Sequence, residues 1–218
     1  MFNSAIFDWD GTLADTRQVI VISFQKALDK ISCQVNSEYI ERRIGIGAAE
    51  TFREILRSAK VPFDEKLIQQ LIEWKIQLEI ELTGQVKLFE GAKELLEALH
   101  GKVKMGLASM NNRAVIKHML QANGIEEFFP VVLTAESISH SKPNPEIFLK
   151  TAQQLESRPE RCVVLEDSIF GVKAAKSAGM GCIAVTTGVY SMQELEAEKP
   201  DLIVKTLKDP KIVCFVLR

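Results

Sequence analysis

Asp8 and Asp10 stand two residues apart in Asp8-Trp9-Asp10-Gly11-Thr12, directly after the apolar run Ser4-Ala5-Ile6-Phe7. A carboxylate can attack phosphorus as a nucleophile, and a second carboxyl nearby can supply a proton and later remove one. Further along, Ser109 follows Val103-Lys104-Met105-Gly106-Leu107-Ala108, with Asn111 and Asn112 just beyond. The stretch after Val131-Val132-Leu133 contains Ser141-Lys142-Pro143-Asn144-Pro145, and Cys162-Val163-Val164-Leu165 runs into Glu166-Asp167-Ser168. Singly, each has a plain structural explanation, since Asp and Ser commonly cap helices and Ser168 or Asp167 could cap the next one. Their recurrence after successive apolar runs is harder to dismiss. Clustered carboxylates are costly unless a cation offsets them, and all-oxygen ligands suit a hard ion such as Mg²⁺. A phosphate ester would in turn need Lys142, the Ser109 hydroxyl and backbone N–H groups as positive charge and donors.

The elements that must position these residues follow from periodicity. Helical patterns near Gly91 to His100, Arg113 to Ala122, Glu146 to Leu155 and Phe170 to Ala178 alternate with short apolar runs, the last being Cys182-Ile183-Ala184-Val185. Such alternation predicts a parallel sheet with helices on both faces. Ligands of these sheets bind beyond the carboxyl ends of the strands, where the strand order switches. From Asp15 to about Glu81 the pattern is helical throughout. Leu28, Ile31 and Val35 form one stripe; Phe52, Ile55, Leu56 and Ala59 a second; Leu67, Ile68, Leu71, Ile72 and Ile76 a third. The expected architecture is a doubly wound, Rossmann-like α/β core over 1–14 and 85–218, with a helical cap domain inserted at 15–84.

Composition narrows the class. In a chain of 218 residues, 27 basic side chains against 29 acidic ones leave a net charge of −2, which favours neither nucleic acid nor an anionic membrane as partner. The apolar runs fall short of the about 20 residues a membrane span needs, and no basic segment followed by an apolar core opens the chain. Cys33, Cys162, Cys182 and Cys214 form no C-x-x-C and read as free thiols of a reducing compartment, so a cytoplasmic protein is expected. His100, His118 and His140 lack ligand spacing. A small phosphorylated metabolite is the expected partner, and a monomer or weak homodimer the expected state.

Together the motifs resemble the haloacid dehalogenase-like superfamily, in its phosphoglycolate phosphatase and β-phosphoglucomutase branch. Asp8-Trp9-Asp10-Gly11-Thr12-Leu13 matches the first family motif, Ser109 the second, Lys142 the third and Glu166-Asp167 the fourth. The resemblance implies that Asp8 is the nucleophile and a magnesium ligand. It implies that Asp10 binds the ion through its carbonyl while its side chain acts as acid and then base. Thr12 and Ser109 would hold the phosphoryl group with Asn111 nearby, Lys142 would bridge Asp8 and the phosphate, and Asp167 would ligate magnesium helped by Glu166. Family dehalogenases lack an acid where Asp10 stands, and the phosphonate-cleaving relatives carry Ala there, so Asp10 favours phosphate esters.

Specificity is expected in the insertion. In Arg42-Arg43-Ile44-Gly45-Ile46-Gly47 the glycines permit a tight turn, and Arg43 and Gly45 are candidate substrate contacts, unless the arginines merely end a solvated helix. Lys75 is a weaker candidate, and Trp9 reads as packing. The mutase branch typically has a histidine and an arginine where Ile20 and Ala48 stand, so a hydrolase is favoured over a sugar-phosphate mutase. Phosphoglycolate is one candidate substrate among many. A non-catalytic module phosphorylated on aspartate would need neither a lid nor Asp10.

Overall fold

Strand β1 (Ser4–Phe7) is buried along its whole length, as a strand covered on both faces must be. Ala5 and Phe7 enter one apolar cluster and Ile6 the other, the period of two that a pleated strand imposes. A computed structural model describes residues 1–218. After β1 come the short β2 (Ala14–Asp15) and four helices, α1 (Arg17–Asp29), α2 (Ser37–Glu41), α3 (Ala48–Ser58) and α4 (Glu65–Leu82). The chain continues through β3 (Lys87–Leu88), α5 (Ala92–Leu99), β4 (Lys104–Ala108), α6 (Arg113–Asn123), β5 (Val131–Leu133) and α7 (Glu146–Gln154). It ends with β6 (Cys162–Glu166), α8 (Ile169–Ser177), β7 (Gly181–Val185), α9 (Met192–Ala197), β8 (Leu202–Val204) and α10 (Lys211–Val216).

Six parallel strands form one sheet in the order β5-β4-β1-β6-β7-β8. The chain builds outwards from β1 on one side and then returns to its other side at β6. The switch in strand order therefore falls at β1, flanked by β4 and β6. Phe7 pairs in register with both Leu107 and Leu165, so the residues after these three strands meet at one rim. The doubly wound α/β expectation holds.

The helices between β2 and β3 carry a core of their own, including Ile20, Phe24, Leu28, Phe52, Leu56, Ile68 and Leu71. Asn36 and Asp64 cap α2 and α4 by accepting from the N–H groups of Glu38 and Leu67. An antiparallel ribbon, Ala14 with Leu88 and Asp15 with Lys87, ties this segment to the core at its two ends. No helix is long and apolar enough to cross a membrane.

Candidate active site

The rim is held by the same ladder that makes the sheet. Beyond the strands proper, the Asp8 N–H donates to the Leu165 carbonyl and the Ser109 N–H to the Leu133 carbonyl, both at 3.0 Å. The backbone then folds tightly over 9–14, with the Gly11 N–H donating to the Ala14 carbonyl at 3.0 Å. Gly11 has a φ of +82°, and a Cβ there would lie 2.3 Å from Asp167 Oδ2, so only glycine fits. This turn brings Asp10 back over the rim beside Asp8.

Lys142 is buried between two carboxylates, 2.6 Å from Asp8 Oδ1 and 2.6 Å from Glu166 Oε1. Glu166 Oε2 accepts from the N–H groups of Asp167 and Ser168 and from the Ser168 hydroxyl, at 3.0–3.1 Å. It thereby occupies the N-terminus of α8, where free N–H groups favour an anion. Both of its oxygens are engaged. Potential ligand oxygens of Asp8, Glu166 and Asp167 lie within 4.8 Å of one another, and all three residues are buried. One ammonium among three carboxylates leaves two negative charges uncompensated. Burial and then the charge of Glu166 raise the Asp8 carboxyl well above its ordinary range, with Lys142 opposing. Burial, Glu166 and Asp8 do the same to Asp167. Burial disfavours the charge on Lys142, but Asp8 and Glu166 outweigh it and hold the group firmly protonated. An all-oxygen cluster with a charge deficit of this size fits a divalent hard cation.

Asp10 faces a different environment. Ser109 donates to its Oδ2 at 3.3 Å, while Oδ1 is buried with no hydrogen-bond partner. Burial raises this carboxyl, opposed chiefly by Thr16 and Lys75. The Thr16 hydroxyl lies close enough to favour the charged form without closing a hydrogen bond of ordinary geometry. A buried carboxyl with one free oxygen is suited to hold a proton and pass it on.

Asp10 also lines a small, open-mouthed cavity of about 30 Å³ between the rim and the helical segment, shared with Ile20, Arg43, Gly45, Ala48, Lys75 and Asn111. The expected contact residues Arg43, Gly45 and Asn111 are therefore brought together here, and so are Ile20 and Ala48. Lys75 proves to be one of the most buried charged side chains, paired with Glu79 at 2.7 Å. Arg43 lies over the Tyr39 ring and pairs with Glu54, neither as a free cation nor as a solvated helix end. The Thr12 hydroxyl donates to Asp167 Oδ1 at 3.0 Å, which places it at the rim beside the carboxylate cluster. Trp9 packs in the core with its Nε1–H on Met119 Sδ, and His140 pairs with Glu146 at the surface.

With this geometry in hand, likeness to known proteins becomes decisive. The model of the haloacid dehalogenase-like hydrolases matches residues 5–185. The chain belongs to the haloacid dehalogenase-like hydrolase family. It is an enzyme of that hydrolase class. It is 31% identical to a probable phosphatase, IndB, of Dickeya dadantii, over 94% of this chain and 90% of that protein. It is 30% identical to the pyrophosphatase PpaX of Bacillus cereus, over 95% and 94%. The crystal structure of a β-phosphoglucomutase from Clostridium difficile superposes with a TM-score of 0.84 at 26% identity, covering 100% of both chains. The family fold thus extends across the whole chain, including the helices between β2 and β3.

Sequence reasoning missed three contributors to the site. Glu79 has the i,i+4 spacing from Lys75 of an ordinary surface pair. The available signal was its place on the buried stripe Ile68, Leu71, Lys75 of α4. Thr16 ends the turn into α1 and carried no motif. Gly171 contributes only by having no side chain, since a Cβ there would sit 1.8 Å from the Glu166 carboxyl carbon.

Proposed function

We propose that this protein is a Mg²⁺-dependent phosphomonoesterase that hydrolyses a small phosphorylated metabolite through an aspartyl-phosphate on Asp8. The observation that carries this reading is the division of labour between the two aspartates. Asp8 sits in the carboxylate cluster, paired with Lys142, while Asp10, raised by burial, keeps one oxygen free. Asp8 and Asp167, with the main-chain carbonyl of Asp10, would hold the ion. Glu166, whose oxygens are both engaged, would chiefly support Lys142. Bound there, Mg²⁺ supplies charge neutralisation for the phosphoryl oxygens.

In the first half-reaction an Asp8 oxygen bonds to phosphorus as the ester P–O bond breaks. The departing oxygen takes its proton from Asp10. In the second, a water gives a proton to Asp10 while its oxygen bonds to phosphorus, releasing phosphate and regenerating the Asp8 carboxylate. Lys142 and the Ser109 hydroxyl hold the transferring group in line. The helical segment at 15–84 serves as a lid that keeps bulk water out, and Arg43 and Gly45 help shape its inner wall.

Ile20 and Ala48 line the cavity where a mutase would need polar groups to hold a second sugar hydroxyl, which favours water as the acceptor. The test is turnover of phosphomonoesters by purified protein with and without Mg²⁺. Hydrolysis is expected only with the ion, and Asp8→Asn is expected to abolish it. A fully active Asp8→Asn protein would refute the mechanism.

A further inference from the structure

The charges around the leaving-group side of the cavity bear on which ester fits, given the phosphomonoesterase reading above. With the phosphoryl group held beside Asp8, the rest of the substrate must enter the space between Asp10 and the lid. Ile20, Phe24, Met110, Thr51 and Asn111 contribute apolar and neutral polar wall there. Two cations also line it, Arg43 and Lys75, and each already has a carboxylate. Arg43 Nε is 2.5 Å from Glu54 Oε2. Lys75 Nζ is 2.7 Å from Glu79 Oε1, with both side chains at most 5% exposed. Arg42, the other basic residue of the lid loop, instead pairs with Glu194 at 2.5 Å and lies over the Tyr190 ring. No cation of the wall is therefore left unmatched for an anionic leaving group. The second Glu79 oxygen, Oε2, is buried without a hydrogen-bond partner.

We propose that the substrate is the phosphate ester of a small uncharged alcohol or polyol, and that Glu79 determines this specificity by cancelling the charge of Lys75. An ester whose leaving group is itself a carboxylate or a phosphate would have to bury that anion beside Asp10 and against two cations that already have carboxylate partners. This excludes phosphoglycolate and pyrophosphate as good substrates, although both were open from the motifs and the relatives.

The test uses pairs of esters that differ at one carbon, a hydroxymethyl in one and a carboxylate in the other: 2-hydroxyethyl phosphate against 2-phosphoglycolate, and glycerol 3-phosphate against 3-phosphoglycerate. For the wild-type protein with Mg²⁺, kcat/KM is expected to favour the alcohol member of both pairs by about tenfold or more, as for a site that leaves a buried group unpaired. Glu79→Gln keeps the shape and a hydrogen bond to Lys75 but frees the ammonium, and is expected to narrow that preference by about tenfold. Lys75→Gln combined with Glu79→Gln removes both charges and is expected to restore the preference. A purely structural ion pair would lower stability without moving the ratio. Equal or better turnover of the acid members by wild type overturns the proposal, as does a ratio unmoved in Glu79→Gln. Should the variants not fold, the wild-type pairs decide alone. Failure to hydrolyse either member of both pairs, and p-nitrophenyl phosphate as well, refutes the hydrolase reading itself and with it this one.

Discussion

Replacing Gly171 by alanine sets two effects of known size against each other. The residue lies in the first turn of α8, where alanine is favoured over glycine by about 1 kcal/mol on propensity alone. On local grounds the change should stabilise. Yet an ideal Cβ at this position falls 1.8 Å from the Glu166 carboxyl carbon and 1.9 Å from Oε1. Non-bonded carbons need about 3.5–4 Å, so the carboxylate must retreat by about 2 Å. Glu166 is buried and fixed on both oxygens, by Lys142 at 2.6 Å and by the N–H groups of Asp167 and Ser168 at 3.1 Å. Any such retreat draws it away from these contacts.

Breaking a buried ion pair by withdrawing one partner costs about 3–5 kcal/mol. Set against the propensity gain, the variant is expected to lose about 2–4 kcal/mol, or roughly 5–15 °C in Tm for a chain of this size. Activity should fall with it, because Lys142 would lose one of the two carboxylates that position it at Asp8. Urea unfolding followed by circular dichroism measures the first effect and steady-state hydrolysis the second. Gly84→Ala is the control, since a Cβ there meets nothing within 4 Å and should change stability by less than about 0.5 kcal/mol. In a Glu166→Ala background the clash is absent, so Gly171→Ala should become neutral or stabilising. A Gly171→Ala protein as stable as wild type, or equally damaged in both backgrounds, would refute the reasoning.

Two further outcomes follow from the same charges. Asp10→Asn is expected to lower kcat by about 10²–10⁴ while Mg²⁺ affinity, read by calorimetry, is largely kept, because the proposed metal contact is main-chain; a collapse of affinity would contradict that role. Asp8 and Asp167 have carboxyls raised in the folded state, so the metal-free fold binds extra protons above the ordinary carboxylate value of about 4 and loses stability as pH rises through the raised values. The gain in Tm on replacing EDTA by Mg²⁺ should therefore widen between about pH 5 and about pH 8, and a gain that shrinks over that interval would count against the cluster as the metal site.

The part of the site visible in the sequence is the part attached to strands. Asp8, Ser109 and Glu166-Asp167 each end or follow an apolar run, and strand ends of a parallel sheet converge on one rim by topology. Lys142 was visible because it stands after the next run in the same order. Residues that act by occupying or vacating space leave no such mark. Gly171 reads as a weak helix residue until Glu166 is seen above it, and Lys75 with Glu79 has the spacing of a solvated pair. Thr12 shows a different limit: its hydroxyl suits a phosphoryl oxygen or a carboxylate equally, and only the turn at Gly11 sets it on Asp167. In the fold, β8, α9 and α10 escaped because three to six residues are too few to establish a period. The β2–β3 ribbon is shorter still, two residues on each side, and its register exists only between distant parts of the chain.

Charge is distributed across the cavity in a way that separates recognition of the two ends of an ester. At the rim, one ammonium faces three carboxylates, a deficit that protons can relieve on Asp8 and Asp167 and that a divalent ion would offset, drawing in the phosphoryl dianion under the proposed mechanism. Under the lid the cations are cancelled one by one, so nothing there competes for that dianion or draws an anion in backwards. The pairing also bears on Asp10. Lys75 favours the charged form of Asp10, whereas Glu79, on the same face of α4, acts on it with the opposite sign. A lone Lys75 would pull the carboxyl towards ionisation and strip the leaving group of its acid. Matched by Glu79, it leaves burial as the dominant influence on Asp10, so under the proposed mechanism the glutamate that would turn away anionic leaving groups would also help keep a proton ready for an alkoxide.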